Sequence, residues 1–266
     1  MPTAHLNGID IYYERRGEGP RLLFLNGSGS DLVAAAPFVD AYAEHFDLAA
    51  HDQRGLGRTA IPPGPYTMAD YAGDAMGLVG HLGWTRCRVV GVSFGGMVAQ
   101  ELAVTWPDQV ERLALVCTSP GGAGGASYPL HELTAGSPEE RGSHMLQLTD
   151  TRYCPEWLAS HPEDRLIVDG LAARGRRERT AEQQRGEREQ LLARSHHDVT
   201  DRLSRITAPT LVASGRYDGI APLANGEAIA DRIPGAELRA YEGGHLFTIQ
   251  DARAQPDIIA FLLGDG

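Results

Sequence analysis

The run Cys87-Arg88-Val89-Val90-Gly91-Val92-Ser93-Phe94-Gly95-Gly96 decides how this chain reads. Cys87 to Val92 has the short apolar character of a buried strand. Phe94 to Trp106 continues as an apolar helix. Between them Gly91-Val92-Ser93-Phe94-Gly95 fits G-x-S-x-G. A strand that turns sharply into a helix at such a serine holds its hydroxyl out at the carboxyl end of a sheet. The flanking glycines leave room for a strained backbone and for close helix–strand contact. The helix start adds backbone N–H groups and a positive dipole end where a negative oxygen would form. The pattern alone arises by chance in a chain with 32 glycines. The strand–turn–helix setting is what selects Ser93 as a nucleophile.

Outward from this point the chain alternates. Asn7-Gly8 lies between His5-Leu6 and Ile9-Asp10-Ile11-Tyr12-Tyr13 and predicts a tight hairpin. Arg21 to Leu25 is a buried strand ending in the loop Asn26-Gly27-Ser28-Gly29. Ala34 to His45 reads as helix, Phe46 to Ala50 as strand, Thr67 to Leu82 as helix and Leu113 to Cys117 as strand. Apolar strands separated by amphipathic helices predict an α/β fold, a mostly parallel sheet covered on both faces.

The rhythm breaks at Ser119-Pro120-Gly121-Gly122-Ala123-Gly124-Gly125. Residues 126 to 205 contain no strong strand, and Ser143 to Leu148, Glu163 to Ala173 and Thr180 to Ser195 read as helices. We therefore expect a core of residues 1–119 and 206–266, with 120–205 as a helical cap. The arginine-rich stretch from Arg174 to Arg188 reads as a solvated face with i,i+4 ion pairs. Thr210 to Ala213, Pro222 to Arg232, Glu237 to Tyr241 and Asp257 to Leu263 then restore the alternation.

A serine needs a base, and the base needs a partner that fixes its tautomer. Asp218 follows the strand Thr210-Leu211-Val212, and His245 follows the next strand. Parallel strands share a carboxyl end, so the loops carrying Ser93, Asp218 and His245 fall on one edge. Asp218 competes with an Asx-turn role before Gly219, and Asp231 sits late in a helix. Among the histidines, His51 precedes the Asp52 loop and His196-His197 end the inserted span. Position selects His245.

Composition excludes several classes. The net charge of −11 argues against nucleic acid or an anionic membrane as partner. Cys87, Cys117 and Cys154 are odd in number and unpaired in pattern, so neither disulfides nor a zinc site is expected, and buried thiols are expected at Cys87 and Cys117. No apolar run reaches the roughly 18 residues of a membrane span, and no signal peptide pattern opens the chain. A cytoplasmic protein acting on a small molecule without cofactor or metal is the expectation.

The chain resembles the α/β-hydrolase superfamily over nearly its whole length. Besides the elbow, Asp52-Gln53-Arg54-Gly55-Leu56-Gly57-Arg58-Thr59 resembles the D-x-R-G-x-G-x-S/T loop, and Ala208-Pro209-Thr210-Leu211-Val212 resembles the approach to the acid. Asn26 stands where most relatives carry histidine, and Asn26 to Leu32 is similar to the 3-oxoadipate enol-lactonase branch. The resemblance implies an oxyanion hole from the N–H groups of Ser28 and Phe94. It also implies an acyl-enzyme mechanism on an ester or lactone. Asn26, Gly27, Met97, Met145, Trp157 and Phe247 are expected beside the substrate, with Leu146, Leu148, Tyr153 and Leu158 as further inward groups of the cap. C–C bond hydrolysis, cofactor-free perhydrolysis and a slow-turnover ligand receptor are the competing functions for this scaffold.

Overall fold

The computed structural model describes residues 2–133, 138–175 and 178–264. The strands of the described residues are β1 (Thr3–Leu6), β2 (Ile9–Arg16), β3 (Arg21–Leu25), β4 (Asp47–His51), β5 (Cys87–Val92), β6 (Val110–Val116), β7 (Thr210–Gly215) and β8 (Glu237–Tyr241). They form one eight-stranded sheet in the order β1-β2-β4-β3-β5-β6-β7-β8. The first two strands run antiparallel to their neighbours, and the rest pair in parallel. Asn7 and Gly8 close the β1–β2 hairpin with φ of 50° and 78°, the positive pair that a two-residue hairpin of this twist needs.

The helices are α1 (Leu32–Ala43), α2 (Met68–His81), α3 (Phe94–Thr105), α4 (Pro138–Thr149), α5 (Pro155–Ser160), α6 (Pro162–Gly175), α7 (Ala181–Ser195), α8 (Leu223–Ala230), α9 (Phe247–Gln250) and α10 (Ala254–Leu263). Alternate strand residues face opposite sides of the sheet, which splits the core in two. Leu23, Leu25, Val89, Leu113 and Val212 pack with α2, α3 and α8. Leu22, Phe24, Val90, Ala114 and Leu211 pack with α1 and α10. Both faces are therefore buried, which is why the central strands read as unbroken apolar runs. No helix of the described residues is long and apolar enough to cross a membrane.

Several boundaries moved from expectation. Helix α1 begins at Leu32 because Asp31 caps it, its carboxylate accepting the Ala34 N–H at 2.9 Å. Helix α10 begins at Ala254, so Pro256 falls within the first turn, where backbone N–H groups have no helical acceptor to lose. Between β6 and β7 the described residues form α4 to α7 and short 3-10 turns. In the arginine-rich stretch, Arg176 and Arg177 lie outside the described residues. Arg179 pairs with Glu187, and Arg185 pairs with Glu182 one turn back rather than at i,i+4. Arg185 also donates to the carbonyls of Pro62 and Ile61, at 2.7 and 2.9 Å, so it fastens α7 to the loop after β4. Cys87 and Cys117 are buried free thiols.

His197, just past α7, is 4% exposed. Burial pulls its imidazole down from 6.5 to about 4, against the pull of Glu101 and Asp198 in the other direction. A depressed histidine is neutral in both states above pH 6.5. As pH falls toward 4, only the unfolded chain gains the proton, so stability is lost across that window. The full loss is about 3 kcal/mol. Urea midpoints should fall between pH 6.5 and 4 in the wild type and fall less in His197→Gln. Equal losses in both proteins would remove His197 as the cause.

Candidate active site

Ser93 ends β5 with φ 55° and ψ −113°, outside the regions open to ordinary residues. Such a conformation costs about 1–3 kcal/mol and persists only where neighbours enforce it. Its N–H donates to the Val116 carbonyl at 2.8 Å, and its carbonyl accepts the Gly96 N–H at 2.9 Å and the Thr118 hydroxyl at 2.8 Å. The elbow glycines serve close approach. A Cβ on Gly95 would lie 2.1 Å from the Leu25 carbonyl oxygen, and one on Gly91 would lie 2.3 Å from that of Gly95.

The sheet order explains what meets the serine. β3 and β5 are neighbours, while β7 and β8 follow beyond β6, and all are parallel. Their carboxyl ends therefore bring the loops at 26–29, 93, 218 and 245 together. His245 Nε2 lies 2.9 Å from Ser93 Oγ, and its Nδ1 lies 2.7 Å from Asp218 Oδ2. Asp218 is buried, and its Oδ1 accepts the N–H groups of Ile220 and Ala221, both at 2.8 Å. The geometry allows proton transfer from Ser93 to His245 with the imidazole held in one tautomer.

Helix α4 buttresses the loops that carry Asp218 and His245. The carbonyls at the end of α4 accept from both: Leu148 from Gly219 N–H at 2.9 Å, and Thr149 from His245 N–H at 2.6 Å. Gln250 completes the support. Its Oε1 accepts the Gly244 N–H at 2.9 Å. Its Nε2 reaches Asp150, Tyr153 and Asp164 at 2.9–3.0 Å. Burial alone would raise the Asp164 carboxyl, yet hydrogen bonds from Trp157, Gln250 and Tyr153 hold it below its ordinary value. Nothing in the sequence around Gln250 signals this role, because the side chains its Nε2 meets lie 86 to 100 residues away. Gln250→Leu should cost about 2 kcal/mol: the Gly244 N–H loses its acceptor, while Asp150 and Asp164 each lose one donor and keep those of Arg152 and Tyr153. It should also lower kcat more than it raises KM. Wild-type kcat and urea midpoint in that variant would refute the buttress.

The loop after β3 lies against Ser93. A Cβ on Gly27 would sit 3.6 Å from Ser93 Cβ. The Ser30 N–H donates to the Gly27 carbonyl at 3.3 Å, closing a turn with Ser28 and Gly29 at its tip. Phe94 is the first residue of α3, so its N–H has no carbonyl one turn earlier within the helix.

The structure distributes the other expected substrate neighbours unevenly. Asn26 and Gly27 are in this loop. Met97 is buried in the core cluster that also holds Phe94 and Tyr71. Met145 and Leu146 are half-buried on α4, and Leu158 is half-buried on α5. Leu148 and Tyr153 are buried. Trp157 donates its indole N–H to Asp164 at 2.7 Å and stacks on His161 at 3.8 Å, packing the inserted helices to one another. Phe247 departs from expectation. It is fully buried, stacked on Tyr241 at 5.2 Å in the core beside α10, because α9 starts right after the base loop and turns the ring inward.

Residues 20–252 match the family described as alpha/beta hydrolase fold. The chain belongs to the α/β-hydrolase fold family. Among its relatives, this α/β-hydrolase is 31% identical over 250 residues to a poly(3-hydroxyalkanoate) depolymerase of Ectopseudomonas oleovorans, covering 91% of this chain and 83% of the relative. It is 26% identical to 3-oxoadipate enol-lactonase 2 of Acinetobacter baylyi, covering 96% of this chain and 95% of the relative. Among solved structures it is similar to the enol-lactonase from Burkholderia xenovorans LB400, with a TM-score of 0.80, 27% identity and coverage of 99% and 100%. The α/β-hydrolase is an enzyme of the hydrolase class.

Proposed function

We propose that this α/β-hydrolase cleaves small carboxylic esters or lactones through an acyl-enzyme on Ser93. The observation that carries the reading is the relay itself, with His245 between Ser93 Oγ at 2.9 Å and Asp218 at 2.7 Å. The similarity to an enol-lactonase and to a poly(3-hydroxyalkanoate) depolymerase supports the ester or lactone class.

In this reading His245 Nε2 takes the hydroxyl proton as Ser93 Oγ attacks the carbonyl carbon. The resulting oxyanion is held by the N–H groups of Ser28 and Phe94. Each such donor is worth about 10²–10³ in rate. The tetrahedral intermediate collapses as His245 returns the proton to the leaving alkoxide, and an alcohol departs, or the opened hydroxyl end of a lactone stays attached to the acyl group. Water then loses a proton to His245 and attacks the acyl-enzyme, releasing the acid and restoring Ser93. Asp218 keeps the proton of His245 on Nδ1 and stabilises the imidazolium. Residues 1–119 and 206–266 supply this machinery, while 120–205 roof it and shape access to it.

A panel of short-chain 4-nitrophenyl esters, aliphatic lactones and dienones of the C–C hydrolase type tests the class. We expect turnover on esters and lactones. Turnover confined to dienones, or tight binding of every ligand with no turnover, would overturn the reading.

A further inference from the structure

Around the loop that follows β3, five buried side-chain atoms have no protein partner among the described residues: Asn26 Oδ1 and Nδ2, Ser28 Oγ, Gln53 Oε1 and Gln190 Nε2. Asn26, Gln53 and Gln190 are no more than 2% exposed. An unmade buried hydrogen bond costs about 1–3 kcal/mol, so folded chains rarely gather them in one place without bound water or a ligand to meet them.

The residues that carry them meet at one loop. Gln190 comes from α7, yet its Oε1 accepts the Gly29 N–H at 2.8 Å. Its Nε2, on the same amide, therefore lies beside the oxyanion loop. Gln53 donates to the Asn26 carbonyl at 2.7 Å, which sets its own free Oε1 against the same loop. Gly27, between Asn26 and Ser28, is in contact range of Ser93. Helix α7 is seated firmly one turn earlier, where a Cβ on Gly186 would lie 2.1 Å from the Gly55 carbonyl oxygen. The cluster is thus fixed from both sides and adjoins the nucleophile.

Its chemistry names what it takes. Every member is neutral, and together they offer donors and acceptors. A carboxylate only accepts and an ammonium only donates, so either would leave half the cluster unmet, whereas a hydroxyl does both. We propose that Asn26, Ser28 and Gln190 form a polar subsite for a hydroxyl on the acyl chain, so that esters and lactones of hydroxy acids are the preferred substrates. The proposal rests on the reading of Ser93 as the nucleophile of an ester hydrolase.

The test compares kcat/KM on 4-nitrophenyl butanoate, its 2-hydroxy and 3-hydroxy counterparts, and 4-nitrophenyl hydrogen succinate. The wild type should favour one hydroxy ester over the plain ester by at least about tenfold. Gln190→Leu, Asn26→Leu and Ser28→Ala should bring that ratio toward one. The ratio cancels any general loss from releasing Gly29, and Ser28→Ala keeps its backbone N–H, so a poorly folded Gln190 variant leaves the test intact. Equal rates on plain and hydroxy esters, with both depending on Ser93, would overturn the subsite and leave the hydrolase reading standing. A preference for the succinate ester, or a ratio unchanged in all three variants, would also overturn the subsite. Absence of hydrolysis on every ester would instead sink the Ser93 reading, and the subsite with it.

Discussion

Ser93→Ala is expected to lower kcat on esters by about 10⁶-fold while leaving the fold intact. In the proposed mechanism covalent catalysis passes through one atom, Ser93 Oγ, placed 2.9 Å from His245 Nε2. The bonds that hold position 93 in shape are different ones. They run from its main-chain N–H to Val116 and from Gly96 and Thr118 to its carbonyl, and alanine keeps all three. The φ of 55° strains serine and alanine alike. Loss of rate therefore comes without loss of stability, and thermal midpoints of the two proteins should agree within a few degrees. Residual rate above that of water, about 10³–10⁴-fold, is expected from the oxyanion donors and substrate binding alone. Ester hydrolysis within tenfold of wild type in the purified variant would show that another nucleophile does the work.

What could be read before the coordinates follows from how local each signal is. Asn7-Gly8 announces its hairpin because the φ requirement falls on two adjacent residues. Ser93 announces itself because strand, turn and helix are consecutive. Asp218 and His245 are legible only through topology: each follows a parallel strand, and such strands end on one edge. Asp31 was legible as a cap in principle, since it stands directly before Leu32, but the apolar run drew the helix start to Ala34. Gln190 and Gln250 carried no such sign. An amide in an amphipathic helix looks like surface, and only the folded chain brings Gln190 to Gly29 or Gln250 to Asp150. Phe247 misled for the same reason. Sequence proximity to His245 said nothing about which way α9 would turn the ring, and the core beside Tyr241 claimed it.

Asp218→Asn is expected to lower kcat by about 10⁴-fold with little change in KM. The reason is a count of donors. Asp218 accepts three N–H groups: His245 Nδ1–H on Oδ2, and the main-chain N–H groups of Ile220 and Ala221 on Oδ1. A carboxylate accepts on both oxygens, but a carboxamide accepts on one and donates from the other. The two main-chain donors cannot change, so the Asn oxygen must stay with them at 2.8 Å. The NH₂ group is then left facing His245 Nδ1. It can bond that nitrogen only as an acceptor, which moves the imidazole proton to Nε2. The nitrogen 2.9 Å from Ser93 Oγ would then carry a proton and could not take another from the serine. The opposite amide orientation sets NH₂ against two buried N–H groups and costs stability instead. A variant of normal thermal stability and KM but crippled kcat is the signature of the tautomer. Rates should recover partly at high pH, where hydroxide can bypass the base. A kcat within a factor of ten of wild type at neutral pH would mean that Asp218 does not set the tautomer of His245, and the relay would lose its third member.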